Sequence, residues 1–257
     1  MATYSLKKSY QLKNLKETKF RDLWGEYGIF TTMWIFGKPP KILFFENHIK
    51  NLIKSLQLFG IKKKFLKKDI IQIINNNLTK KKNYNHLLRV AVNKKIISVS
   101  LRKRITPKLN FNLKLVNLKR VKPEYKNLKY KKILSHLSKM NNSNSDIGLI
   151  VDKKILETGT SNLIFIKNQK VFIPKKDYYV GNTFKFLKSK IKKITKKNIY
   201  VNNLKSYDEI ILIGSGKGVA SVKTIKEISW KRKNLKKFNI FSKYYFTAIN
   251  KCKVHKF

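Results

Sequence analysis

Apolar residues in this chain come in short bursts, and that patterning limits the fold more than any other feature. Ile210-Ile211-Leu212-Ile213 runs straight into Gly214-Ser215-Gly216-Lys217-Gly218. Ile29–Phe36 and Ile42–Phe45 flank a Gly37-Lys38-Pro39-Pro40 turn as a strand pair. Ile49, Leu52, Ile53, Leu56 and Phe59 then follow at helical spacing up to Gly60. A second helix is expected over 66–78, and a hairpin over 86–92 and 96–101. Pro107 and Pro123 bracket one short strand, where the domain join is placed, giving domains 1–118 and 119–257. The second half predicts a helix over 128–140, a strand at 147–151, a hairpin of 162–166 and 170–173, and a helix over 183–195. Hairpins mixed with helices in two halves mean an α+β fold of two subdomains.

No apolar run approaches the ~18 residues of a membrane helix, and the first residues lack a secretory signal's apolar stretch. The lone Cys252 excludes an internal disulfide framework and a cysteine-cluster zinc site. A soluble, cytoplasmic protein with no membrane partner is expected. With 42% hydrophobic residues the chain has material for a core despite its formal charge of +47. Lysine runs are spread along the whole chain, whereas a nucleic-acid face would gather its charge with stacking aromatics. The charge therefore reads as a solvated surface rather than a specific nucleic-acid site.

Glycines at 214–218 let backbone N–H groups approach an anion, and Ser215 adds a hydroxyl. The spacing matches neither GxxxxGK[ST] nor GxGxxG, so a phosphate cradle and a tight strand-to-strand turn both stay open. Glu157 is one of 13 carboxylates and lies between two apolar strands, either as an exposed turn residue or as a buried acid holding a proton or cation.

Glu157 through Phe165, then Val171-Phe172-Ile173-Pro174 and Gly181-Asn182-Thr183, resembles the E-x-x-x-S-N-x-F … T-P … G-I-T-R signature of class IV (fold type IV) pyridoxal-phosphate enzymes. Upstream, Gly28-Ile29-Phe30-Thr31-Thr32 and Glu46-Asn47-His48-Ile49 with Leu52 are similar to the family's G-x-F-E-T … E-H-x-x-R-L stretch. The likeness spans roughly residues 20–225 in the family's order. It implies a two-domain architecture like that of D-amino-acid aminotransferase, with a cofactor cleft between the domains. It also implies pyridoxal 5'-phosphate as cofactor, a small-molecule amino substrate and a homodimer.

Carried over by position, Lys126 matches the lysine that bonds the cofactor and shuttles the substrate proton. Glu157 matches the partner of the pyridine nitrogen, and Tyr130 a donor to the cofactor's phenolic oxygen. Asn182 and Thr183 match one side of the phosphate cup, with Ser215 and Gly216 closing the other. Arg89 matches a residue that meets substrate carboxylate, and Thr32 is a second substrate-side position. The family's phosphate arginine is Asn51 here, with Lys50 and Lys54 as neighbouring point charges, and the arginine of G-I-T-R is Phe184. Phe30-Thr31-Thr32 and Lys126-Asn127-Leu128 resemble aminodeoxychorismate lyases more than aminotransferases. The expected activity is release of p-aminobenzoate and pyruvate from 4-amino-4-deoxychorismate, in folate biosynthesis. The alternatives are a transaminase for branched-chain or D-amino acids and a cofactor-free basic binding protein on the same fold.

Overall fold

The computed structural model describes residues 4–256 of the chain. Its described residues divide into two compact units: 4–104, 125–131 and 251–256 form one, and 105–124 with 132–250 the other.

The first unit contains β1 (Tyr4–Gln11), β2 (Glu17–Thr18), β3 (Gly28–Gly37), β4 (Lys41–Ile42), α1 (Phe45–Leu58), α2 (Leu66–Asn76), β5 (Tyr84–Asn93) and β6 (Ile96–Lys103). Its six strands pair in the order β2-β1-β6-β5-β3-β4. Period-2 alternation divides this sheet cleanly. Ile29, Met33, Ile35, Leu88, Val90, Val92, Ile97, Val99 and Leu101 point to one face and bury with Ile49, Leu52 and Leu56 of α1 and Ile70, Ile73 and Ile74 of α2. The other face carries Phe30, Thr32, Arg89 and Arg102.

The second unit begins with β7 (Asn110–Asn117), and α3 (Lys131–Leu137) leads on to β8 (Ser145–Val151), β9 (Lys154–Thr158), β10 (Asn162–Lys167) and β11 (Lys170–Pro174). After them come α4 (Asn182–Lys188), β12 (Ile194–Lys197), β13 (Glu209–Gly214), β14 (Gly218–Ile225), β15 (Trp230–Lys231) and α5 (Lys236–Asn250). Their strands form one nine-stranded sheet, running β12-β11-β10-β13-β14-β7-β8-β9 with β15 on β14. Ile210-Ile211-Leu212-Ile213 is fully buried in mid-sheet, so both faces of β13 are apolar. One face meets Phe165, Tyr207 and Trp230; the other meets Phe184, Leu187, Phe238 and Phe241.

Three elements differ from the sequence reading. The helix expected over 183–195 stops at Lys188, and residues 194–197 pair in parallel with β11 instead. Ile191 and Ile194 still pack on the core; their spacing fits a helix, but the free edge of β11 offers strand hydrogen bonds. The helix expected over 128–140 is confined to 131–137, because residues 126–128 are already committed to backbone bonds with β3. The strand expected through Phe45 ends at Ile42, and Phe45 opens α1 after a left-handed Phe44.

Glu209, fully buried, accepts the Lys237 N–H (2.8 Å) and the Phe238 N–H (2.9 Å) at the start of α5. It neutralises two otherwise orphaned donors at the positive end of the helix. Glu209→Ala is expected to lower unfolding free energy by about 3 kcal/mol. Urea denaturation measures this, and an unchanged midpoint would remove Glu209 from that role.

Candidate active site

In the first unit the site is built around a glycine. A Cβ at Gly28 would stand 2.3 Å from the Val92 carbonyl and 2.7 Å from Leu128 Cδ1. Its absence lets residues 126–128 lie against β3. The Phe30 N–H donates to Lys126 O (2.9 Å), the Leu128 N–H donates to Gly28 O (2.9 Å), and Ile29 bridges Asn127.

Lys126 is therefore fixed by its backbone, with its ammonium 5.0 Å above the Phe30 ring. Phe30 meets Trp24 (4.8 Å) and Tyr130 (5.6 Å) edge-on, and Trp24 stacks on Tyr130. The Arg89 guanidinium covers the Trp24 ring at 4.2 Å, and Thr32 stands directly opposite Arg89 across the strand pair. Lys126, Tyr130, Arg89 and Thr32 thus gather around one face of the sheet. Asn51 lies on α1, which packs on the opposite face.

His48 had no role assigned from the sequence. It is buried on α1, with Nδ1 2.7 Å from the Thr31 hydroxyl. Burial, reinforced by the Lys126 ammonium, pushes its pKa down to about 3.

In the second unit three chain segments converge. Glu157, at 3% exposure, is no surface acid: Oε1 accepts Arg120 Nε at 2.8 Å and Oε2 accepts the Tyr179 N–H at 3.3 Å. Both bonds favour the ionised carboxylate. Arg120 also escaped the sequence reading. The signal for it was there, since only six of the 60 basic residues are arginine, and bidentate or buried pairing selects arginine over lysine.

Asn162 joins the pieces. Its amide donates to the Tyr179 carbonyl and its oxygen accepts the Gly181 N–H (3.0 Å), which sets where α4 begins. Asn162 also pairs with Ile213, so the 214–218 turn emerges beside it. A Cβ at Gly214 would crowd Ser161 Oγ and the Thr160 carbonyl, both at 3.0 Å. The glycine-rich segment is a tight β13–β14 turn, with Gly214 opposite Gly218. Its lysine is already neutralised: Lys217 Nζ lies 2.9 Å from the fully buried Asp146, which also accepts the Thr158 and Thr160 hydroxyls at 2.8 Å.

Asn182 and Thr183 are buried at the start of α4. The Thr183 hydroxyl has no hydrogen-bond partner among the described residues. A buried hydroxyl left unmatched costs free energy unless something bonds it, and a phosphate oxygen is such an acceptor. Ser215 and Gly216 sit partly buried in the neighbouring turn. The Glu157 carboxylate supplies an acceptor in the same unit. This donor and acceptor set fits a phosphorylated pyridine. Among the described residues no cluster of three His, Cys, Asp or Glu is arranged to hold a metal, and no helix is long and apolar enough to cross a membrane.

The chain belongs to the amino-transferase class IV family, whose model matches residues 28–225. It is an enzyme of the fold-type-IV architecture, its cofactor is pyridoxal 5'-phosphate, and it acts on small-molecule amino substrates. Among solved structures it is similar to the branched-chain amino acid aminotransferase from T.th., complexed with N-(5'-phosphopyridoxyl)-L-glutamate: 12% identity, 96% of each chain covered, TM-score 0.77. A PLP-bound hypothetical aminotransferase from Mycobacterium tuberculosis matches at 14% identity over 95% of this chain and 99% of that one, TM-score 0.67. A candidate 4-amino-4-deoxychorismate lyase from Legionella pneumophila matches at 18% identity over 87% and 90%, TM-score 0.67. No curated protein matches the sequence.

Two outcomes test this geometry. Because the folded His48 pKa lies below the unfolded value of about 6.5, its contribution to stability is complete above that pH and is lost as pH falls toward 3. Stability should fall by up to about 1.4 kcal/mol per pH unit in that window, with the slope reduced in His48→Gln. A His48 NMR resonance titrating near pH 6 would overturn the assignment. Arg120→Met strands a buried carboxylate and should cost about 3–5 kcal/mol. Adding Glu157→Gln should recover part of that loss in urea melts; strict additivity would mean the two are uncoupled.

Proposed function

We propose that the enzyme is a 4-amino-4-deoxychorismate lyase, releasing p-aminobenzoate and pyruvate. The observation that carries the reading is the Gly28–Thr32 stretch paired with Lys126-Asn127-Leu128. It has threonine where most aminotransferases of the family carry glutamate, and its Thr31 hydroxyl is already committed to buried His48. Pyridoxal phosphate, when bound, supplies the electron sink that lets the carbon bearing the substrate amine lose its proton.

The rest falls to side chains. Lys126 Nζ would hold the cofactor and would take the proton from the amine-bearing carbon. Phe30 faces the Lys126 Nζ and packs against Trp24, so aromatic rings line this side of the lysine. Glu157, ion-paired with Arg120, would accept the pyridine N–H. Thr183, Asn182, Ser215 and Gly216 would hold the phosphate; Asn51, in the family's arginine position, lies on α1. Tyr130 would donate to the phenolic oxygen and Arg89 would meet a substrate carboxylate, with Thr32 opposite Arg89 across the strand pair. The products together contain all the atoms of the substrate, so no co-reactant is required.

A transaminase for branched-chain or D-amino acids is the second reading, favoured by the likeness to the T.th. branched-chain enzyme. The lyase reading further expects a cytoplasmic homodimer working in folate biosynthesis.

With added cofactor, borohydride should trap a covalent adduct in the wild type and not in Lys126→Ala; equal trapping would remove Lys126 from its role. Pyruvate should appear from 4-amino-4-deoxychorismate without any keto acid present. Strictly keto-acid-dependent amine exchange would select the transaminase, and sedimentation velocity on the same sample reads the assembly.

A further inference from the structure

Of the six arginines, four have evident occupations. Arg21 pairs with Glu26 at 2.7 Å, and Arg104 stacks over Trp34 at 4.2 Å. Arg120 binds Glu157, and Arg232 donates to Ser221 and Asn110. The remaining two share one face of the first sheet. Arg89 stands opposite Ser100 and Arg102 opposite Leu87, which makes them diagonal neighbours, about 7–8 Å apart at the backbone.

Two like charges at that spacing repel, and burial weakens the water that would screen them. Among the described residues no carboxylate forms an ion pair with either. The acid whose charge Arg89 feels is Asp22, but Arg89 Nη2 binds its backbone carbonyl at 2.5 Å, while its carboxylate accepts the Trp24 N–H at 3.0 Å. Arg89 Nε is buried with no partner among the described residues. Arg102 is half-buried, and its side chain makes neither a hydrogen bond nor a ring contact with a described residue.

Burial lowers the pKa of both groups, Arg89 to about 10, and the Arg102 charge pushes Arg89 the same way. Tyr4 acts in the opposite sense on both, and Tyr130 on Arg102. Both guanidinium groups stay charged at neutral pH. Arg89 has a structural task in holding residues 22–24 across the sheet. Arg102 has none, in a chain that uses lysine almost everywhere else for surface charge.

We infer that Arg102 is the second arm of a dicarboxylate clamp, in which Arg89 takes one carboxylate of the substrate and Arg102 the other. The substrate class is then an amine bearing two carboxylates separated by several ångströms. The clamp rests on the reading of Arg89 as the substrate-carboxylate residue. A planar guanidinium offers paired donors that a lysine lacks. A monocarboxylate would leave one half-buried cation without a counter-charge, so discrimination should be large.

The test is calorimetric titration of the full chain with chorismate, a dicarboxylate that has no amine and cannot react with the cofactor. Benzoate serves as the monocarboxylate and inorganic phosphate as the generic anion. Wild type should bind chorismate at least about tenfold more tightly than benzoate, the scale of one lost charge-assisted contact. Arg102→Gln should reduce that preference to about twofold, with Arg102→Lys in between. Circular dichroism verifies folding, and if Arg102→Gln fails to fold, the partial loss expected of Arg102→Lys decides the matter. A preference undiminished in the variant that folds, no preference in wild type, or phosphate binding as tight as chorismate would overturn the clamp. Adduct trapping reads Lys126 and the chorismate preference reads Arg102, so failure of the proposed activity and failure of the clamp are distinguished.

Discussion

No side chain fits at position 28, and the arrangement of the first unit follows from that. With a hydrogen in place of Cβ, residues 126–128 reach β3 and exchange backbone hydrogen bonds with Gly28 and Phe30. The lysine is thereby fixed from its main chain, which is stiffer than any side-chain tether. Its ammonium sits over the Phe30 ring, which Trp24 and Tyr130 in turn pack against.

The second unit solves its problem with buried charge in place of a missing side chain. Glu157 and Arg120 bury together, and Asp146 and Lys217 bury together. Isolated burial of any one of these charges would be prohibitive; paired and further hydrogen-bonded, they are tolerated and fix geometry. One pair keeps a carboxylate ionised between two strands. The other folds the lysine of a glycine-rich turn back onto the buried Asp146. Asn162 ties both regions to the start of α4.

The overall charge of +47 conceals a division of labour. Lysine fills the surface, where a hydrated point charge on a flexible stem is inexpensive in free energy. Arginine appears where a planar group stacks or bonds: over Trp24, over Trp34 and against Glu157. Treating all 60 basic residues as one population hid the few that carry specific work.

By itself the sequence determined the strand and helix alternation, the α+β class, and the family to which the chain belongs. Those properties rest on local periodicity and on short motifs such as Glu157–Phe165, which survive divergence to 12–18% identity with solved structures. Tertiary structure decided what local spacing cannot encode. It decided that residues 194–197 would pair with β11 rather than extend α4, because an open strand edge outcompetes a lysine-rich helical turn. It decided that Glu157 would meet Arg120, and Thr31 would meet His48, since these partners lie 37 and 17 residues apart. It also decided that Arg102 would stand beside Arg89, because cross-strand register, not sequence distance, sets which charges share a face.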